Sequence, residues 1–259
     1  MQIGKAGPAV SHISQAYPDR IEVRGRDLTG ELMGRLSFTA YFHLLLTGRE
    51  PTEDQRFFLD LLLVAIAEHG MMPTNIAARM TLAADPGSLQ GAVAAGILGC
   101  GPVILGTSES CARLLEEVQE KVASGGAPEA VARDVARAIR ASDGKVPGFG
   151  HPIHRPNDPR AERILELADA RGVSGPHVLL ARCLRDGVAE VWGKPLTMNV
   201  SMPIAAVMLD LRFPSTAVRA IPILARTAGL LAHLAEEREQ PLGFLLAAAA
   251  EDALTYEPP

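Results

Sequence analysis

An all-α protein is what this sequence predicts, and three observations carry the prediction. Apolar residues recur at helical spacing through most of the chain, helix start and stop residues bracket those runs, and strand-like alternation shows in one short stretch only. With 259 residues of which 47% are hydrophobic, the chain can bury a full core, as one large domain or as two lobes.

Taken in order, the likeliest strand is "DRIEVRG", residues 19–25. A helix follows from Glu31 to Thr47, with Gly48 where a C-cap glycine belongs. Thr52 starts the next helix and places Glu53 and Asp54 in its first turn. "GSLQGAVAAGILGCG", residues 87–101, is built from Gly and Ala with a few aliphatics. That composition lowers helix propensity but lets backbones approach closely. It fits an internal helix contact or a symmetric dimer contact equally well. "PEAVARDVARAIRASDG" puts Val131, Val135, Ala138 and Ile139 on one stripe. "DPRAERILELADARG" opens with Asp158 as N-cap and Pro159 at the first helical position, and carries Ala161, Ile164, Leu165 and Ala168 on one face before Gly172.

Composition excludes several functions. The net charge of −5 and a pI near 5.8 argue against a nucleic-acid or anionic-membrane partner, because both need a concentrated basic face. No apolar run is expected to reach membrane-spanning length. Cys100, Cys111 and Cys183 lack CxxC spacing, so neither a disulfide framework nor a structural zinc site is expected. Three thiols and no signal peptide fit a reducing cytoplasm.

One stretch breaks the helical pattern. "KVPGFGHPIHRPNDPR", residues 145–160, gathers two histidines, one lysine, two arginines and four prolines beside two glycines. Pro147 and Pro152 prevent a helix, and Gly148 and Gly150 let the backbone approach a ligand. The stretch reads as a shaped loop with cationic and proton-transferring capacity. A guanidinium can pair a carboxylate through two parallel hydrogen bonds, and a histidine near neutrality can exchange a proton.

"VPGFGHP" followed by "DPR" resembles the segment of citrate synthases and citryl-CoA lyases that binds CoA and the carboxylic acid. "SHISQAYPDRIEVRGRDLTG" resembles the beginning of citryl-CoA lyase-type members, like the lyase module of ATP-citrate lyase. "EHGMMPTNIAAR" and "RTAGLLAHLAEE" are similar to the family's first histidine segment and its arginine-bearing late helix. The resemblance runs over roughly residues 11 to 240. It implies a citrate synthase-like fold, with residues 1–107 and 206–259 as a large helical lobe and 108–205 as a small one.

By the same resemblance, His151 hydrogen-bonds the reacting oxygen of the acid and takes its hydroxyl proton in the cleavage direction. Arg160, Arg226 and His69 hold its carboxylates. Val146, Pro147, Gly148, Phe149 and Gly150 receive CoA, and Arg155 lies near its phosphates. Plainer roles stand beside these: Arg160 could pair with Glu162 or Asp158, His69 could cap a helix, and His154 and Arg155 could be solvated loop residues. His233, on an apolar helix face, reads as structural; His12, His43 and His177 carry no signal.

The sequence departs from the family at two positions. The catalytic histidine of the GPLHGGANE-like segment is matched by Ile104 in "GPVILGTSE", and the aspartate of NVD by Ser201 in "MNVSMP". A serine hydroxyl is no base at pH 7 without activation, so Glu68 and Glu109 are the nearest replacement candidates in sequence. The resemblance implies cleavage of citryl-CoA or a related 3-hydroxy-3-carboxyacyl-CoA, with condensation of acyl-CoA and a 2-oxo acid as the alternative. A non-catalytic CoA- or carboxylate-binding homologue is the third reading. CoA enters as part of the substrate, no metal or redox cofactor is implied, and a homodimer or larger homo-oligomer is expected.

Overall fold

The computed structural model describes residues 9–258, and the chain divides into two compact units after Asp60. In the first, the expected strand forms as β2 (Ile21–Val23) between β1 (Ser14–Ala16) and β3 (Arg26–Asp27), an antiparallel sheet of order β1-β2-β3. The register pairs Ser14 with Val23 and Glu22 with Asp27. The Asp27 carboxylate then accepts from the Thr29 and Gly30 N–H groups and starts a π turn over Leu28–Leu32.

The helix expected from Glu31 begins later. Gly34 turns the chain at φ 77°, and α1 (Phe38–Thr47) starts where the Ser37 hydroxyl accepts from the Ala40 N–H. Leu32 and Leu36 imitate helical spacing but belong to the turn. They pack with Val23 and Leu44 in a small core. Gly48 closes α1 at φ 75°, as the C-cap pattern requires. α2 (Glu53–Ala67) opens on a reciprocal cap: the Gln55 N–H donates to Thr52 Oγ1 at 3.2 Å, and the Thr52 N–H to Gln55 Oε1 at 2.8 Å.

The second unit adds α3 (Pro73–Ala84), α4 (Leu89–Leu98), α5 (Thr107–Ala123), α6 (Pro128–Ala141), α7 (Pro159–Ala170), α8 (Pro176–Trp192), α9 (Ser201–Asp210), α10 (Ala220–Glu239) and α11 (Gly243–Asp252). Every residue of α9 from Met202 to Leu209 is buried, with α5, α7 and α8 packed around it. Being apolar on all sides suits a central helix. Asp210, at its end, caps α8 by accepting from the Gly175, His177 and Val178 N–H groups.

α3, α4, α10 and α11 form a second packed group. The Gly/Ala-rich helix α4 lies within it: Ala92 is buried with Ala78, Leu82, Leu230 and Leu234, and Gly96 faces Leu230. The internal contact therefore forms. On other sides, Leu98 and, just beyond the helix, Val103 stay 86% and 88% exposed. In α6 the buried stripe is Ala132, Val135 and Ala136; Ala138, expected inside, faces outward. α7 follows the expectation at its cap, its proline and all four buried positions.

The expectation about membrane-length apolar runs needs correction. The Ser215–Glu239 segment is long and apolar enough to cross a membrane by length and composition, with 44% of its apolar window buried inside the fold. It also carries the buried Arg226 and Glu237, and buried charges suit a core helix. Its Gly229 sits where α10 crosses the end of α2. A Cβ there would lie 2.0 Å from the Ala67 carbonyl oxygen, so only glycine allows the crossing that seats the turn after Ala67.

Candidate functional site

A cleft of about 430 Å³ opens in the second unit. His69, His151, Arg160, Ser201 and Arg226 all line it, as do Gly150 and Ile104. Residues distant in sequence thus meet as the sequence reading expected. Much of the remaining wall is apolar, including Ile66, Met72, Leu105 and Ile204.

The loop before α7 owes its shape to the segment before α9. The Gly150 N–H donates to the Thr197 carbonyl at 2.7 Å, and the Asn199 N–H to the Gly148 carbonyl at 2.8 Å. Phe149 and Met198 thereby form an isolated antiparallel bridge. The Asn199 side chain donates to the Gly150 carbonyl and accepts from the Ser201 N–H. The Thr197 hydroxyl is within hydrogen-bonding reach of the His154 and Pro156 carbonyls, at 3.2 and 2.8 Å. Gly148 (φ 80°) lies where a Cβ would meet Cys111 Sγ at 2.8 Å and Met202 Cβ at 2.9 Å. Gly148→Ala is therefore expected to lower the denaturant midpoint, by about 1–3 kcal/mol in stability, from backbone strain and overpacking together; an unchanged midpoint would refute this packing.

Asp158 anchors the loop's far end. Fully buried, its carboxylate accepts from the Arg160 N–H, from Arg160 Nε and Nη2 at 3.0 and 2.8 Å, and from the Val200 N–H at 3.1 Å. Burial pushes its pKa up, but the Arg160 guanidinium and the backbone donors win and hold it below the ordinary carboxylate range. Arg160 thus makes the pairing that the plainer reading offered, and still faces the cleft.

His151 arrives in a fixed protonation form. Its Nδ1 accepts from the Ile153 and His154 N–H groups at 3.1 and 2.9 Å. Backbone N–H groups can only donate, so the ring proton sits on Nε2. That Nε2–H lies 3.5 Å from Arg160 Nη2, two donors converging with no acceptor between them. Burial first, then His154, pushes the His151 pKa below the ordinary histidine range. With Nδ1 so occupied, the ring presents its Nε2–H as a hydrogen-bond donor to the cleft it lines.

Arg226 is 4% exposed, and its Nη1 donates to Asn75 Oδ1 at 3.4 Å. Its buried Nε has no hydrogen-bond partner. Burial lowers its pKa from the ordinary arginine value, and Glu68 opposes this. A buried guanidinium so weakly matched is costly alone and is set up for an anion.

Neither candidate base reaches the cleft lining. The Glu68 carboxylate accepts from the His69 and Gly70 N–H groups and from Asn75 Nδ2, and lies 2.9 Å from His233 Nε2. Burial raises its pKa, but His233 and the N–H donors outweigh that and keep it ionised. Glu109 pairs with Arg113 and lies 3.7 Å from Arg219. His233 is structural as expected: Arg79, fully buried and paired with Glu236 and Glu237, donates to its Nδ1.

Of the expected CoA residues, Val146 is buried, Gly150 lines the cleft, and Arg155 is exposed outside that lining. The sequence reading missed Asn199 and left His154 as a solvated loop residue. His154 Nε2 lies 3.2 Å from His69 Nε2, and its ring stacks 4.4 Å from that of His151. The pattern H-P-x-H in a proline-held loop was the available signal. The three rings bring potential ligand atoms within 4.8 Å of one another, the spacing of a metal site. His151 does not suit one: a neutral imidazole ligating through Nε2 carries its proton on Nδ1, where this ring meets two donors.

The all-helical architecture expected from the sequence agrees with the comparison with known proteins. The family described as "Citrate synthase, C-terminal domain" matches residues 10–243; the chain belongs to the citrate synthase family. The citryl-CoA lyase of Hydrogenobacter thermophilus superposes with a TM-score of 0.84 at 29% identity, covering 98% of this chain and 96% of that one. A citrate synthase of Synechocystis is 30% identical over 209 residues, 78% of this chain and 50% of its own length. The chain spans about half the length of the curated relatives it matches. An ATP citrate lyase of Methanothrix soehngenii, solved with citrate and coenzyme A, shares the fold at a TM-score of 0.77 and 21% identity, covering 99% of this chain and 43% of that one.

Proposed function

We propose that the cleft binds a CoA thioester of a hydroxy-tricarboxylic acid and cleaves it, as a citryl-CoA lyase does, into an acyl-CoA and a 2-oxo acid. The observation that carries this reading is Arg226, a buried cation with an unpartnered Nε, in the same cleft as Arg160 and the His151 Nε2–H. The Arg226 Nε and the His151 Nε2–H lack an acceptor, and Arg160, paired with Asp158, turns its remaining charge to the same space; such a set suits carboxylate and hydroxyl oxygens. His69 adds a fourth polar group. Arg226 and Arg160 hold the acid, and His151 donates to the oxygen that changes between hydroxyl and carbonyl. Val146 to Gly150 and Arg155 receive CoA.

Ser201 and Ile104 leave proton transfer at the acyl carbon without the family's usual groups. A catalyst accelerates both directions of one reaction, so these substitutions do not choose between cleavage and condensation. The citrate synthase relatives favour condensation as a second reading. The two substitutions themselves favour a third, a homologue that binds without turnover. Purified protein incubated with citryl-CoA, and separately with oxaloacetate and acetyl-CoA, tests all three by product. Release of acetyl-CoA and oxaloacetate supports the lyase, citrate the synthase. No product with retained binding of both ligands replaces either with the third.

Arg226→Met is the sharper test of the acid site. Removing a buried charge of this kind is neutral or stabilising, whereas losing a buried charge-assisted contact costs an anion ligand about 2–5 kcal/mol. Citrate affinity should fall by at least tenfold in calorimetry while the melting temperature holds or rises. Unchanged affinity in a cooperatively folded variant would sink the assignment. Arg160 is the poorer probe because Asp158 depends on it.

We also read the protein as a cytoplasmic homodimer whose lobes, 1–107 with 206–259 and 108–205, close over ligand. Leu98 and Val103, exposed on and beside α4, support the self-contact. Three buried free thiols support the reducing compartment. Sedimentation at micromolar concentration should give a dimer or larger; a monomer would remove the interface.

A further inference from the structure

His69 lines the acid site, and the ring it meets, His154, has no role in the reading above. Here His69 sits in the turn between α2 and α3 and His154 in the loop before α7, with their Nε2 atoms 3.2 Å apart. We propose that His154 is a positioning residue: its Nε2 and that of His69 share one proton, and the pair takes up a single positive charge when a carboxylate binds against His69. This rests on the acid-site reading and deepens it.

The chemistry follows from the geometry. At 3.2 Å one Nε2–H donates to the other ring's lone pair, so each neutral ring keeps one proton, one of them on Nδ1. An added proton enters at the free Nδ1 of the donating ring, and the Nε2–H···Nε2 bond becomes charge-assisted. A second added proton would set two N–H groups against each other. The pair therefore accepts one proton, as a unit. His151 does not compete, since a proton on its Nδ1 would face the Ile153 and His154 N–H groups.

The surroundings disfavour a charge on His69 in the empty cleft. Burial, then Arg160 and His154, push the His69 pKa down, with Asp158 opposing. Asp158 is already matched by Arg160, Glu68 by His233, and Arg226 adds positive charge across the cleft. An entering polycarboxylate reverses that balance at His69, which lines the cleft and meets His154 behind it. Affinity then gains a pH dependence that arginines alone do not give.

Histidine-ring NMR of the ligand-free protein tests the pair without any ligand. Between pH 8 and pH 5, the His69 and His154 rings should together take up one proton, with linked titration curves, and His154→Gln should leave His69 titrating singly. Two independent protonations in the wild type would overturn the proposal. Calorimetry of citrate in buffers of different ionisation enthalpy tests the consequence. Near pH 7 the wild type should take up close to one proton per citrate, and both His154→Gln and His154→Leu clearly less, because a lone His69 lacks the neighbouring imidazole that shares the proton. At pH 8.5 the glutamine, which can still hold His69, should keep affinity within about threefold, while the leucine should lose about tenfold or more. Undiminished uptake in His154→Gln would also overturn it. If the rings share one proton but the wild type does not bind citrate, the pair stands and the acid-site reading falls.

Discussion

Ser201→Asp should raise citryl-CoA cleavage or citrate formation tens-fold or more. Position 201 begins α9 and lines the cleft. A carboxylate there gains the helix N-terminus and faces the same space as Arg160 and Arg226, all of which favour the ionised form; burial opposes them. Restoring a positioned acid or base contributes about 10²- to 10⁴-fold, and Ile104 still supplies no donor, so the gain should fall at the lower end. If both reactions stay undetectable while the wild type turns over another CoA thioester, the serine serves a different chemistry. If both proteins are inert but bind CoA and citrate, the binding homologue replaces the enzyme.

Asp158→Asn should cost about 3–5 kcal/mol in unfolding free energy, because it leaves Arg160 without its counter-charge and weakens the contacts to the Arg160 and Val200 N–H groups. The wild-type contribution also has a pH window. The folded carboxyl titrates below its unfolded value of about 3.9, so the stabilisation is complete above that value and disappears as pH falls through the folded pKa. Denaturant midpoints measured from pH 7 down to 3 should therefore converge between variant and wild type in acid. Coincident midpoints at pH 7 would show that the pair contributes nothing.

The parts legible in the sequence were those written locally. Proline and glycine spacing marked the 145–160 loop, and Asp158-Pro159 marked the start of α7, because caps act over three or four residues. The same reasoning overextended α1, since Leu32 and Leu36 hold helical spacing while Gly34 breaks the helix between them and Ser37 starts α1 only afterwards. Asn199, His154 and the Arg79–His233–Glu68 chain stayed hidden for a different reason. Their partners lie tens of residues away, and an asparagine that braces Gly150 looks in sequence like any other. The tautomer of His151 was hidden too, since its proton is placed by two backbone N–H groups rather than by a side chain.

The bridge between Phe149 and Met198 bears on how this site can have diverged. His151 and residue 201 are joined by short backbone bonds and by the two-sided grip of Asn199, so they behave as jaws cut from one piece of metal. The side chain of 201 makes none of these bonds, so the tooth can be exchanged without loosening the vice.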